Sequence, residues 1–290
     1  MPRISSLGSP AQVALKKKVL QRGAARAKVG QCIVAEGDSW FDYVVQPDLV
    51  DHLIDKHDLP IISVAHHGHI LMDMVYGMEL DRFSEREPGD KQQLKTTLDK
   101  VEKFQPKVFL FSGGGNDIAG PELMGFLLPA EEKGPKINWP RLQETIDGTY
   151  AQAFRRLHAK VNEKRPGIHF VTHGYANPFP DGRSVYLIRG LFEVAGPWLK
   201  GPFEAMGYSK EIDNFPDMVR MMGMLNDMLK RLSQQLKNFH YVDLRNAIPT
   251  TADNFEDWWD NELHPTQEGF KAGAAELAKT IKPLLSQAQG

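Results

Sequence analysis

Five short apolar runs, at 32–35, 60–65, 107–112, 168–172 and 239–244, are separated by stretches long enough to hold a helix. Runs that are apolar throughout, rather than at alternate positions, suit strands buried on both faces. Parallel strands joined by helical crossovers provide that burial. The connecting stretches carry the matching pattern. Residues 47–57 put Leu49, Val50, Leu53 and Ile54 on one face, and 139–164 carries a stripe of Ile146, Tyr150, Phe154, Leu157 and Val161. Helices are also expected over 92–104, 218–236 and 266–285. The reading is one α/β domain whose five-stranded parallel sheet is covered on both sides.

At 290 residues the chain is long enough for one large domain or two small ones. Its 35 Lys+Arg nearly balance 37 Asp+Glu, which gives no overall drive toward nucleic acid. The single cysteine, Cys32, excludes an internal disulfide and reads as a small buried hydrophobe at the start of the first strand. No stretch reaches the ~20 apolar residues of a membrane span, so no stable membrane insertion is expected. The N-terminus shows no apolar signal segment, so the expected location is cytoplasmic.

Residues 1–30 form a basic extension with Lys16-Lys17-Lys18, read as a solvated helix packed on the body, and 31–290 form the single domain. Residues 118–138 read as a loop. Residues 177–214 interrupt the alternation with Pro178, Pro180, Pro197 and Pro202 among Tyr186, Leu187, Leu191, Phe192, Trp198, Leu199 and Phe203. Such a partly helical insertion fits a lid or pocket wall, an ordinary packed excursion, or a dimer contact. The methionines at 218, 221, 222, 224 and 228 read as core filling. Oligomeric state has no signature.

The first strand ends in Gly37-Asp38-Ser39. A serine at the carboxyl edge of an open sheet stands where such folds bind ligands, and it can act as a nucleophile given a base and an oxyanion site. Three later segments fall at strand ends on the same edge: His66-His67-Gly68-His69, Gly114-Gly115-Asn116-Asp117, and Asp260-Asn261-Glu262-Leu263-His264-Pro265. Gly68 can turn its N–H toward an oxyanion, Asn116 can offer a side-chain N–H, and His264 can serve as general base.

This set resembles the SGNH hydrolases, the GDSL-type esterases and lipases, over about residues 31–286. Gly37-Asp38-Ser39 is similar to the block carrying the nucleophile, and Gly68 to the oxyanion glycine. Gly114-x-Asn116-Asp117 is similar to the block with the second oxyanion donor, and His264-Pro265 to the end of the Asp-x-x-His block. The resemblance implies a three-layer α/β/α sandwich of the flavodoxin-like type, with no cofactor and no metal. It also implies ester hydrolysis through an acyl-enzyme on Ser39.

One position departs from the pattern. Where the family has its Asp, this chain has Asn261, leaving Asn261, Asp260 or Glu262 to orient His264, with Asp257 further off and a slight preference for Asp260. Trp40, His67 and His69 are expected to line the substrate pocket. The substrate stays open among lipid, short-chain and carbohydrate O-acetyl esters, since Trp40, Phe41 and Tyr43 can stack on a sugar. Two competing readings are a non-catalytic binding module of the same fold, favoured by Asn261, and a metal-dependent hydrolase using His66, His67, His69 and Asp73.

Overall fold

Strand β1 (Ile33–Gly37) is buried at every position and lies between β2 (Ile61–Ser63) and β3 (Val108–Ser112). Beyond β3 come β4 (His169–Gly174) and, at the far edge, Phe239–Asp243, giving a five-stranded sheet in which every pair is parallel. The computed structural model describes residues 9–43, 45–77, 93–186 and 193–287. A separate antiparallel pair, β5 (Val185–Tyr186) and β6 (Glu193–Ala195), falls within the predicted insertion, which makes the far-edge strand β7. Leu187, Leu191 and Phe192 of that insertion lie outside the described residues, as does Gln92.

Helices cover both faces and complete the three layers. On one side pack α1 (Pro10–Arg26), α2 (Leu49–His57) and α10 (Gln267–Ser286). On the other pack α3 (Leu71–Tyr76), α4 (Gln93–Phe104), α6 (Ala151–Lys164) and α8 (Glu211–Gln235). The shorter α5 (Trp139–Glu144), α7 (Lys200–Ala205) and α9 (Phe255–Trp258) lie in the connections. The stripe predicted over 139–164 is buried as expected, but the helix passes through a π-turn at Thr145–Tyr150 between α5 and α6. No helix among the described residues is long and apolar enough to cross a membrane.

Helix α1 packs on α2 and β2. Ser9 and Gln12 form its capping box and Pro10 opens it, so its first turn is satisfied locally. Gly23 permits the approach, because a Cβ there would stand 2.7 Å from both Ile54 Cδ1 and the Ile61 carbonyl oxygen. Helix α8 begins at Glu211, well before the predicted 218, and runs through Pro216. A proline this near the start interrupts the ladder close to the turn that lacks internal partners.

The sheet order β2-β1-β3-β4-β7 is the flavodoxin-like one, and its direction of winding reverses between β1 and β3. Gly37 and Ser112 are paired at the carboxyl ends of those two strands. The segments singled out from the sequence emerge at that crevice.

Candidate active site

Gly37 brings β1 against β3 so closely that a Cβ would meet Ser112 Cβ at 2.7 Å. The next residue, Asp38, turns inward and is buried. Its Oδ1 accepts from the Trp40 N–H (3.0 Å) and the Ser112 hydroxyl (2.8 Å), and its Oδ2 accepts from the Tyr175 hydroxyl. Burial pushes the Asp38 carboxyl up from its ordinary range, and these donors pull against that shift. Asp38 thus fixes the turn that presents Ser39.

Ser39 Oγ lies 2.7 Å from His264 Nε2, across 225 positions of sequence. On the other side of the ring, His264 Nδ1 donates to Asn261 Oδ1 at 2.9 Å. The same oxygen accepts the backbone N–H groups of Leu263 and His264, both at 3.1 Å, which aims it at the imidazole. The Asn261 amide group faces the other way and donates to the Tyr43 hydroxyl at 3.0 Å. Tyr43 donates in turn to Asp260 Oδ2 at 3.2 Å. With Nδ1 carrying the proton, Nε2 is left to accept from the serine hydroxyl.

Asp260, preferred from the sequence as the orienting acid, therefore does not touch the imidazole. The local turn, in which the Asp260 N–H bonds the His264 carbonyl at 2.9 Å, brings Asn261 inward and leaves Asp260 exposed behind Tyr43. Glu262 is buried but serves another purpose. It accepts the backbone N–H groups of Gly182, Trp198, Leu199 and Lys200.

The imidazole is closely enclosed. The Tyr43 ring stacks on it with centroids 4.1 Å apart and planes 9° apart, and the Trp198 ring meets it edge-on at 5.7 Å. Burial, with a smaller push from His67, drives His264 down to about 3, so it is neutral across the physiological range.

Asn116 lines the cavity beside Ser39 and donates one N–H to the His69 carbonyl at 2.9 Å. An amide nitrogen carries a second N–H besides the one so used. Gly68, with φ of 78°, turns the loop whose His66 N–H bonds the Gly37 carbonyl at 2.9 Å, so this loop is anchored at the end of β1.

The cavity itself is narrow, about 30 Å³, and is walled by Trp40, Ile118, Leu199, Met218, Met222 and Leu263. Trp40 was expected there. His67 and His69, also expected, do not line it. His67 Nδ1 is drawn to Asp42 Oδ2 at 2.9 Å, and the His69 ring stacks on His66 at 4.7 Å. Among the described residues, no group of three or more His, Cys, Asp or Glu is arranged to hold a metal. Phe41 and Tyr43 are buried like Trp40.

Sequence reasoning did not find Tyr175 and Ser112 as partners of Asp38, or Trp198 against the imidazole. Each meets its partner only through tertiary packing, and no spacing rule announces it.

Residues 81–272 match the GDSL-like Lipase/Acylhydrolase family. The chain belongs to that family. As a GDSL-like protein it is a hydrolase acting on esters, and the matched span contains Asn116, Asn261 and His264, with Ser39 and Gly68 ahead of it. Three solved structures are similar in fold. The extracellular lipase of Streptomyces rimosus is 15% identical with a TM-score of 0.53, over 87% of this chain and 99% of that one. Phospholipase A1 of Streptomyces albidoflavus is 16% identical with a TM-score of 0.51, again over 87% and 99%. The lipase Lip_vut3 from a goat rumen metagenome is 14% identical with a TM-score of 0.50, over 87% and 96%. No match was found among curated protein sequences.

Proposed function

We propose that this GDSL-like hydrolase cleaves a neutral carboxylic ester through an acyl-enzyme on Ser39. The observation that carries the reading is the line of hydrogen bonds from Ser39 Oγ through His264 to Asn261. Ser39 Oγ attacks the carbonyl carbon as its proton passes to His264 Nε2. The carbonyl electron pair moves onto oxygen, where the backbone N–H groups of Ser39 and Gly68 and the second N–H of Asn116 receive it. Removing one such donor costs about a hundredfold to a thousandfold in rate. Collapse expels the alcohol, which takes the proton from Nε2. Water, deprotonated by the same nitrogen, then releases the acid and restores the serine.

Asn261 does part of what an aspartate does. It fixes the tautomer, because its oxygen is held toward Nδ1 by two backbone N–H groups, but it brings no charge to offset the imidazolium. That missing charge favours a second reading, a binding module that has lost turnover.

The apolar cavity wall supports an apolar acyl group, from a small-molecule or lipid ester, over a sugar-bound acetyl. Wild-type protein should hydrolyse p-nitrophenyl esters, and Ser39→Ala should abolish this while leaving the melting temperature within a few degrees. Turnover that survives in Ser39→Ala would refute the nucleophile. A folded but inert wild type would favour the binding module.

A further inference from the structure

Glu262 lies between two residues of the proposed site, Asn261 and His264, yet its carboxylate points away from both. It is fully buried, and both oxygens are saturated by backbone of the insertion. Oε2 accepts the N–H groups of Trp198 (2.6 Å) and Leu199 (2.7 Å), and Oε1 accepts those of Lys200 (2.9 Å) and Gly182 (2.9 Å). A carboxylate that accepts several backbone N–H groups makes short, charge-assisted bonds. The join is reinforced on either side, where Arg183 Nη1 donates to the Trp259 carbonyl at 2.8 Å and the Trp198 carbonyl accepts the Gly120 N–H at 2.8 Å. Leu199 then lines the cavity beside Ser39, and Trp198 meets the ring of His264.

We infer that Glu262 is a specificity-determining residue that clamps residues 198–200 to the loop carrying His264, so that the acyl-facing wall and the general base keep a fixed spacing. The inference rests on the acyl-enzyme reading above and adds to it that acyl-chain selection is set by this clamp. At this end the insertion is a fixed wall rather than a moving lid.

Glu262→Gln tests the clamp with little change in shape. An amide keeps one acceptor oxygen and replaces the other with an NH2 group, so two of the four backbone N–H groups lose their acceptor and face a donor instead. Hydrogen exchange needs no activity: in Glu262→Gln the pair Trp198 and Leu199, or the pair Gly182 and Lys200, should exchange at least about tenfold faster, according to which oxygen the amide nitrogen replaces, while the amides of β3 stay protected. Unchanged exchange at both pairs would overturn the clamp.

Selectivity is read from kcat/KM on p-nitrophenyl esters of increasing acyl length. The wild-type preference among chain lengths should flatten by about tenfold in Glu262→Gln, mainly through KM, and Leu199→Ala should reproduce the flattening. An equal loss at every chain length would reduce Glu262 to general support and defeat the inference. Should Glu262→Gln not fold, Leu199→Ala still decides, because an unaltered chain-length profile there removes the wall from selection. A wild type that turns over no ester would instead end the acyl-enzyme reading, with the exchange result still deciding the clamp.

Discussion

His264 is buried, with the Tyr43 ring stacked on it and the Trp198 ring nearly perpendicular to it, so little water can stabilise its protonated form, and Asn261 cannot supply the charge that an aspartate would. Its low proton affinity has a kinetic consequence. The free protein keeps its base neutral well below pH 6, and kcat/KM should stay flat between pH 7 and 5, where the fold permits measurement. An acid limb centred near 6.5, the ordinary histidine value, would contradict the enclosure. Asn261→Asp places a carboxylate against Nδ1, and an opposite charge at that range typically moves a proton affinity by about one to three units. The acid limb in that variant should move toward neutral pH. A limb that does not move would mean that Asn261 Oδ1 does not face the ring in solution. Position 261 was one of several open choices in the sequence because alternation along an extended segment does not describe it. The turn that closes Asp260 N–H onto the His264 carbonyl inverts which side chain faces inward, and such a turn leaves no periodicity to read.

Helix α1 lies outside the matched family span, yet it is tied to the loop between β1 and α2. The buried ammonium of Lys16 contacts Asp48, Asp51 (3.1 Å) and, more distantly, Asp42 (3.8 Å). Burial works against its charge, but the three carboxylates outweigh burial and hold its proton affinity above the ordinary lysine value. Asp42 in turn holds His67, and the adjacent Tyr43 stacks on His264. Lys16→Met would leave the buried Asp48 and Asp51 without their cation, a class of change that costs about 3–5 kcal/mol. Urea unfolding should show a loss of that order, and a loss below about 1 kcal/mol would mean that the pairing is not realised. From sequence, Lys16 was one of a basic run and read as solvated. A single lysine facing inward every few residues cannot be told from its neighbours until the acidic partners on α2 are brought up to it. The strands were legible for the opposite reason, since burial on both faces makes Ile33, Val34 and Ala35, like Phe109, Leu110 and Phe111, continuous apolar runs. The true start of α8 was hidden by Pro216, which reads as a break although a helix tolerates proline near its beginning.

Across the whole molecule, buried titratable groups act in opposite senses as the medium is acidified. His173, packed against Trp40 at 5.4 Å, is pushed down to about 4 by burial, as is His69, where neighbouring histidines add to the effect. Their folded values lie below the unfolded one of 6.5, so the unfolded chain takes up protons first. The stability they contribute is intact above pH 6.5 and is lost as pH falls toward 4. Asp117 is lifted to about 7 and Asp51 is likewise raised, chiefly by burial, above an unfolded value of 3.8. The folded chain binds their protons first, and stability rises as pH falls from 7 toward 4. The two sets offset each other over the same window. Substituting one member exposes the balance: the stability of wild type relative to His173→Gln should fall on acidification below 6.5 by up to about 1.4 kcal/mol per pH unit. A difference independent of pH would show that His173 is not held neutral.

The same architecture brings Ser39, from the end of β1, together with His264, from the loop before α10, at the point where the sheet changes winding direction. Peptide mapping after treatment with a fluorophosphonate measures the result most directly. A phosphonyl adduct should form on the peptide containing Ser39 in the wild type and be strongly reduced in His264→Ala. An adduct on another residue, or equal labelling of Ser39 without the imidazole, would contradict the pairing of Ser39 with His264.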